Sequence, residues 1–284
     1  MKVKKFIAVF CFIALAVTLF AGLVQAEQFK IAIMQDKKGS ASKYKPLVAY
    51  MKNKGIDVEF VGTPSYPDAA KMFSAGKADA MFSGSGVAGS MIIKDVSYPA
   101  VRPLGKDGTS TYWAVIVAPK GSPKYLGSTD YFSGKKVLFC SLASSGEFYF
   151  RSIGGHNSAK KMLKAKSHGA AINALSKGAA DFAVVKNRVW IKEKDNYPDL
   201  EVVGQDTGEN PNGTLIMAKS TDPGLAGKVT SILTGLMEDA SPEAKSAKDK
   251  LNIMGYIKTT EKDFGHTLAM LGKAGVDKSF NFKY

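Results

Sequence analysis

The chain has 284 residues, 45% of them hydrophobic, with 39 Lys and Arg against 25 Asp and Glu, a formal net charge of +14. That length supports one large domain or two ordinary ones, and stability must come from a hydrophobic core. Two cysteines, Cys11 and Cys140, exclude a disulfide-stapled scaffold.

Lys2, Lys4 and Lys5 give a basic start, residues 6–24 are almost wholly apolar, and Val24-Gln25-Ala26 ends the run with small residues. This pattern predicts a secretory signal peptide over residues 1–26, cleaved to leave a mature chain from Glu27. Cys11 falls inside it, so Cys140 alone survives, in an apolar run that predicts a buried thiol. Beyond Ala26 no stretch reaches about 18 uninterrupted apolar residues, and a soluble periplasmic product is expected. Export makes nucleic acid an unsuitable partner. The scattered lysines read either as a solvated basic surface or as a field that draws in anionic ligands.

Residues 29–34 alternate and predict a first strand, followed by the polar loop Lys37-Lys38-Gly39-Ser40-Ala41-Ser42. Residues 44–54 form an amphipathic pattern ended by Gly55, residues 56–61 a second strand, and residues 66–75 a helix closed by Gly76. Residues 78–82 predict a third strand that runs into Ser83-Gly84-Ser85-Gly86 and another helix. Residues 111–118 form an unusually apolar strand before Pro119. Strand 136–141, helix 145–153, helix 168–178 and strand 180–185 then repeat the grammar. In both stretches Ala-Ala opens a helix that stops at a glycine (Gly76, Gly178), and an aspartate (Asp79, Asp181) precedes an apolar strand. The symmetry of the two aspartates suggests a structural role. A strand at 214–218 returns after Asn210-Pro211-Asn212-Gly213. The tail reads as helices at 225–237, 242–251 and 260–271, packed back on the first half.

Alternation of strand and helix predicts an α/β fold with mainly parallel sheets. Two similarly built lobes follow, the first from residues 27–115 plus 217–284 and the second from 116–216. Strands 112–118 and 214–218 are the expected hinge.

The stretch Ala143-Ser144-Ser145-Gly146 follows a predicted strand and opens a predicted helix. A helix start leaves backbone N–H groups unpaired at the positive end of the helix dipole, which suits an oxyanion. Ser144 also reads as an ordinary helix cap. Ser83, Gly84 and Ser85 occupy what reads as the equivalent turn of the first lobe, where sheets of this kind bind ligands beyond the strand ends. His168 either hydrogen-bonds an oxyanion or caps its helix. Tyr66 and Tyr112 either flank the cleft with hydroxyl donors or belong to the core. Trp113 and Trp190 read as packing. Gly84-Ser85-Gly86-Val87-Ala88-Gly89 satisfies the dinucleotide pattern, but the acidic residue about 20 positions on is missing from a strand end. No H-E-x-x-H, G-x-S-x-G or cysteine metal cluster is present, and the three histidines, His156, His168 and His266, lie far apart. No enzyme activity, cofactor or metal is expected. A Ser144–His168 nucleophile pair lacks an orienting carboxylate, since Gly169 follows the histidine.

Several motifs in order resemble the periplasmic phosphonate/phosphite/phosphate-binding components of ABC importers. Tyr44-Lys45-Pro46-Leu47-Val48-Ala49-Tyr50-Met51 is similar to that family's P-L-x-x-Y-L helix, and residues 66–79 to its tyrosine, helix, Gly-x-x-Asp run. Gly134-Lys135-Lys136-Val137-Leu138-Phe139 before Ser144-Ser145-Gly146 is similar to its G-K-x-V-A-F … S-T-S-G signature. Ser167-His168-Gly169-Ala170-Ala171 stands where it shows S-H-D-A-A, and Asn210-Pro211-Asn212 is similar to its I-P-N. Ala143 replaces the first serine of the signature, and Gly169 replaces an aspartate implied to hold the ammonium group of aminoalkyl phosphonates, which argues against an amino-bearing ligand.

The resemblance implies a type II periplasmic binding protein that closes on a small oxyanion. It would be a monomer that delivers its ligand to an ABC permease and ATPase in the inner membrane. Alternatives are a sensory module that presents the closed form to a membrane kinase or chemoreceptor, and an exported hydrolase using Ser144.

Overall fold

The computed structural model describes residues 28–34, 40–141 and 143–282. The expected signal peptide and part of the loop after the first strand lie outside the described residues. In chain order the strands are β1 (Phe29–Met34), β2 (Val58–Thr63), β3 (Ala80–Ser83), β4 (Ser97–Gly105), β5 (Thr111–Tyr112), β6 (Ala114–Pro119), β7 (Lys136–Phe139), β8 (Lys161–Lys164), β9 (Phe182–Lys186), β10 (Leu200–Gln205), β11 (Asn210–Pro211), β12 (Thr214–Ala218) and β13 (Ile253–Lys258). They form a six-stranded sheet ordered β13-β4-β12-β3-β1-β2, a five-stranded sheet ordered β10-β6-β9-β7-β8, and the pair β11-β5. This is the expected two-lobed α/β architecture.

Local signals account for most helices. Ser65 caps Tyr66–Ser74 by accepting the Asp68 N–H at 3.2 Å, and Ser167 caps His168–Ser176 by accepting that of Ala170 at 3.1 Å. Gly76 and Gly178, at φ +67° and +74°, adopt the left-handed conformation that ends each of these helices. Asp79 accepts from the Lys30 N–H and Asp181 from the Lys136 N–H, each at 2.8 Å. Each aspartate thus ties its own strand to the start of the middle strand of its parallel trio, β1 between β3 and β2 and β7 between β9 and β8, the structural role that their symmetry suggested.

The sheets are mixed rather than mainly parallel. β1 pairs in parallel with β2 and β3, and β7 with β8 and β9, as helical crossovers require. β12 instead inserts antiparallel between β3 and β4, and β6 antiparallel between β9 and β10. Each inserted strand comes from the other lobe and enters at the carboxyl ends of its neighbours, so it runs against them. The short antiparallel pair β5/β11 joins the lobes; most of residues 112–118 and 214–218, expected as the hinge, lies within the two sheets.

The tail differs from expectation twice. Residues 253–258 form the edge strand β13. The helices Pro223–Gly235 and Pro242–Leu251 cover the first lobe, but Gly265–Lys273 packs on both Ser85–Ile93 and Ser145–Ser152 and so touches both lobes. One apolar cluster accordingly runs across the molecule, joining Val87 and Met91 to Phe148, Phe264 and Leu271. Trp190 is buried and Trp113 packs on the outer core of the second lobe. Among the described residues, no helix is long and apolar enough to cross a membrane.

Candidate functional site

β3 ends at Ser83, Gly84 adopts an extended cap conformation, and the helix Ser85–Ile93 begins. Ser85 through Ile92 are all buried, so this helix start opens inside the molecule rather than to solvent. In the second lobe β7 ends at Phe139, Ser144 caps, and Ser145–Ser152 begins. Ser144 does accept the Glu147 N–H, at 3.3 Å, so the capping role is real. Before it, Ala143 stands at φ +63°, a strained position for a residue with a Cβ.

A buried carboxylate holds this loop. Glu147, fully buried, accepts from the Ala143 N–H at 2.6 Å and from Arg151 Nε at 2.8 Å. Burial pushes its carboxyl above the usual range, while Arg151 and the Ala143 amide oppose that shift.

The two helix starts face each other. Ser145 Oγ lies 2.9 Å from Ser85 Oγ, accepts the Gly86 N–H at 3.2 Å, and hydrogen-bonds the Tyr112 hydroxyl. Tyr112, fully buried, also reaches Ser85 Oγ at 2.7 Å. The approach is close because Gly86 has no side chain: a Cβ there would lie 2.8 Å from Phe148 and 3.1 Å from the Ala143 carbonyl. By helix geometry the first N–H groups of both helices lack intrahelical acceptors. Two positive dipole ends therefore converge on one point.

At that point lies a cavity of about 10 Å³. Its lining includes Tyr66, Gly84, Ser144, Ser145 and His168 of the residues predicted from sequence. Ser85 and Tyr112 join through their bonds to Ser145. Gly146 and Ser83 are not in the lining, although the Gly146 N–H belongs to the same helix start as Ser145. A Cβ on Gly146 would lie 2.9 Å from the Val184 carbonyl, so its bareness serves packing on β9. Ser83 is buried beside the cavity, opposite Thr214, and neither hydroxyl finds a partner among the described residues.

His168 accepts the Lys186 backbone N–H at Nδ1, at 3.3 Å, which leaves the proton of a neutral ring on Nε2. Burial first, and then the Lys186 charge, lowers its pKa to about 3. The ring is thus a neutral donor at pH 7. The cap of its helix is Ser167, not His168.

Lys186 also lines the cavity, with Val87, Cys140 and Ala143; sequence reading did not single out these four as site residues. The Lys186 ammonium sits 4.0 Å from the Tyr112 ring centroid and donates to Asn212 Oδ1 at 3.3 Å. A signal for it existed. In sheet position β3 corresponds to β9, not to β7, so the lobe-two counterpart of Gly84 is Lys186. The equivalence expected between the Ser83–Ser85 and Ser144–Gly146 turns is therefore corrected: one follows an outer strand of the parallel trio and the other its middle strand. Cys140 is buried, with its thiol pKa pushed up to about 11 by burial.

Nucleophilic catalysis finds no geometry here. The nearby acid Glu147 is committed to Ala143 and Arg151, and His168 Nδ1 to a backbone amide. Among the described residues no group of His, Cys, Asp and Glu could hold a metal.

A family model described as the periplasmic substrate-binding protein of ABC phosphonate transporters matches residues 29–264. Comparison with curated protein sequences finds no match. Solved structures share the fold. XAC2383 from Xanthomonas citri, bound to ATP, is 16% identical with a TM-score of 0.72, covering 88% of this chain and 98% of that one. PhnD1 from Prochlorococcus marinus, in complex with methylphosphonate, is 17% identical with a TM-score of 0.70, covering 88% and 98%. A binding component of an ABC phosphonate transporter from Pseudomonas aeruginosa is 15% identical with a TM-score of 0.67, covering 86% of each chain.

Proposed function

The chain belongs to the periplasmic substrate-binding proteins of ABC phosphonate transporters, and from that premise we propose that it captures a small phosphorus oxyanion between the helix starts at Gly84–Gly86 and Ser144–Gly146. The family is one of transport binding proteins, not of enzymes, and it places the protein in the periplasm with an ABC transporter as partner. We further propose cleavage after Ala26 and action as a monomer. The lobes, 27–115 with 217–284 and 116–216, would part about the β5/β11 pair.

The observation that carries the reading is the convergence of Ser145 Oγ on Ser85 Oγ, Tyr112 and the Gly86 N–H. These donors satisfy one another across a cavity of about 10 Å³, which is room for about one water. A tetrahedral anion enters only if the two junctions separate. Its oxygens then take over the N–H and hydroxyl donors, with the His168 Nε2–H and the Lys186 ammonium beside them. Phosphonate, phosphite and phosphate all present such oxygens. The family match favours delivery to a permease over presentation to a sensor.

The test is a thermal-shift panel of methylphosphonate, phosphite, phosphate and a sulfonate. A ligand at 100 times its Kd adds about 2.7 kcal/mol of stability. Ser145→Pro removes a donor amide at the first helical position, where proline is tolerated, and Ser144 already has the extended backbone that precedes a proline. The variant should fold and lose the shift. An unchanged shift would place the socket elsewhere, and no shift with any anion would refute the oxyanion reading.

A further inference from the structure

A second groove, of about 340 Å³, opens between the lobes beside the cavity. One wall is Pro103 and Gly105 of β4 with Asn252 and Ile253; the other is Lys186, Arg188 and Lys192. Its lining holds three cations and no carboxylate. Lys186 belongs to both spaces, because it lines the small cavity as well. Tyr112 forms the partition: its hydroxyl bonds Ser85 and Ser145 in the cavity, while its ring face carries the Lys186 ammonium at 4.0 Å.

The cations stand one turn apart. Arg188 and Lys192 are at i and i+4 on the helix Asn187–Glu193, so they share a face. Lys192 is exposed and has no ion-pair partner among the described residues. Arg188 reaches across the groove to Asp107 at 3.4 Å. That carboxylate is 57% exposed and also accepts from the Thr109 N–H at 3.1 Å and hydroxyl at 2.7 Å. A loose, solvated pair of this kind yields readily to a better acceptor. Gly105 leaves room for this pair at the opposite wall, since a Cβ there would come 2.5 Å from Asp107 Oδ1 and 3.2 Å from Arg188 Nη2.

We infer that the ligand carries a second anionic group besides its phosphorus oxyanion, and that Lys186, Arg188 and Lys192 receive that group in this groove. The inference deepens the oxyanion reading and rests on it. The first anion lies at the helix starts. Its substituent passes the edge of Tyr112 and ends in a carboxylate or a second phosphoryl group among the three cations. Planar pairing with Arg188 would displace Asp107.

The experiment is calorimetric titration of the mature protein with methylphosphonate, phosphonoacetate, 3-phosphonopropionate and inorganic phosphate. The better of the two carboxyl-bearing probes should bind about tenfold more tightly than methylphosphonate at low salt, and the preference should shrink as salt rises. The double variant Arg188→Gln, Lys192→Gln should abolish that preference, leave methylphosphonate affinity within about twofold, and melt as the parent does. Equal affinity for all probes, a preference that survives the double variant, or a double variant that weakens every probe alike would overturn the second-anion inference and leave the oxyanion reading standing. Tightest binding of plain phosphate would do the same. Binding of no probe would overturn both.

Discussion

In the first lobe the junctions after β2 and β3 bring Tyr66 and Gly84-Ser85-Gly86 to the cleft. In the second lobe the junctions after β7, β8 and β9 bring Ser144-Ser145, His168 and Lys186. The strand framework is the same, down to the paired caps Ser65 and Ser167 and the paired aspartates Asp79 and Asp181. The chemistry is not. The first lobe offers backbone donors and hydroxyls on a bare glycine surface. The second offers a neutral imidazole, an ammonium and a loop held by a buried ion pair. A duplicated frame can therefore divide the work, with one half reading charge and the other closing over it.

Replacing Glu147 with alanine should break this asymmetry most severely. It strips the acceptor from Ala143 and removes the buried carboxylate that faces Arg151, of which only 20% of the side chain is exposed. A loss of about 3–5 kcal/mol in urea unfolding is expected, with oxyanion binding abolished. A loss below about 1 kcal/mol would mean that the ion pair does not hold the loop.

The two packing glycines separate closure from lobe stability. Gly146→Ala puts a Cβ against the Val184 carbonyl within one lobe, and should cost about 1–3 kcal/mol in thermal melting. Gly86→Ala puts one against Phe148 and Ala143 of the opposite lobe. It should leave each lobe intact and reduce ligand affinity about tenfold or more, with a wider scattering envelope. Identical effects of the two variants would remove the distinction.

His168 supplies the pH test. The unfolded imidazole takes up a proton near its ordinary value, but the folded one does so only near pH 3, because burial and then the Lys186 charge oppose it. Between those values the unfolded chain binds more protons, so stability falls as pH drops. His168→Gln should flatten that slope by up to about 1.4 kcal/mol per pH unit. Tyr66→Phe, at the matching place in the first lobe, should leave it unchanged. Equal slopes for wild type and His168→Gln would show that the ring is not held neutral.

The smallest effect concerns the strand-pinning aspartates. Asp79→Ala should cost about 1–2 kcal/mol and Asp181→Ala less than about 1, since the Asp181 side chain is 40% exposed. The reverse order in chemical unfolding would undo the argument from burial.

Much of this was legible in the residues. Serine caps, glycine stops and the repeated Gly-x-x-Asp run located the elements and the serine junctions, because those signals act within a few residues. What depends on sheet order was not. Lys186 lies one residue beyond the expected strand 180–185, and the repeat marks it only when the two Gly-x-x-Asp runs are aligned as far as Gly84. The two junctions looked equivalent because each follows an apolar strand; only the pairing of β3 with β12 and of β7 with β8 and β9 tells them apart. β13 reads as a link between helices, its Met254 being 44% exposed and its Gly255 bare where it packs on Met237.

The central claim is that backbone amides of both helix starts grip the anion together. Amide resonances of uniformly labelled mature protein, titrated with methylphosphonate, test it most directly. The account predicts saturable downfield shifts at Ser85, Gly86, Ser145 and Gly146 together, with one dissociation constant. Saturable binding that moves other amides and leaves these four in place would contradict it.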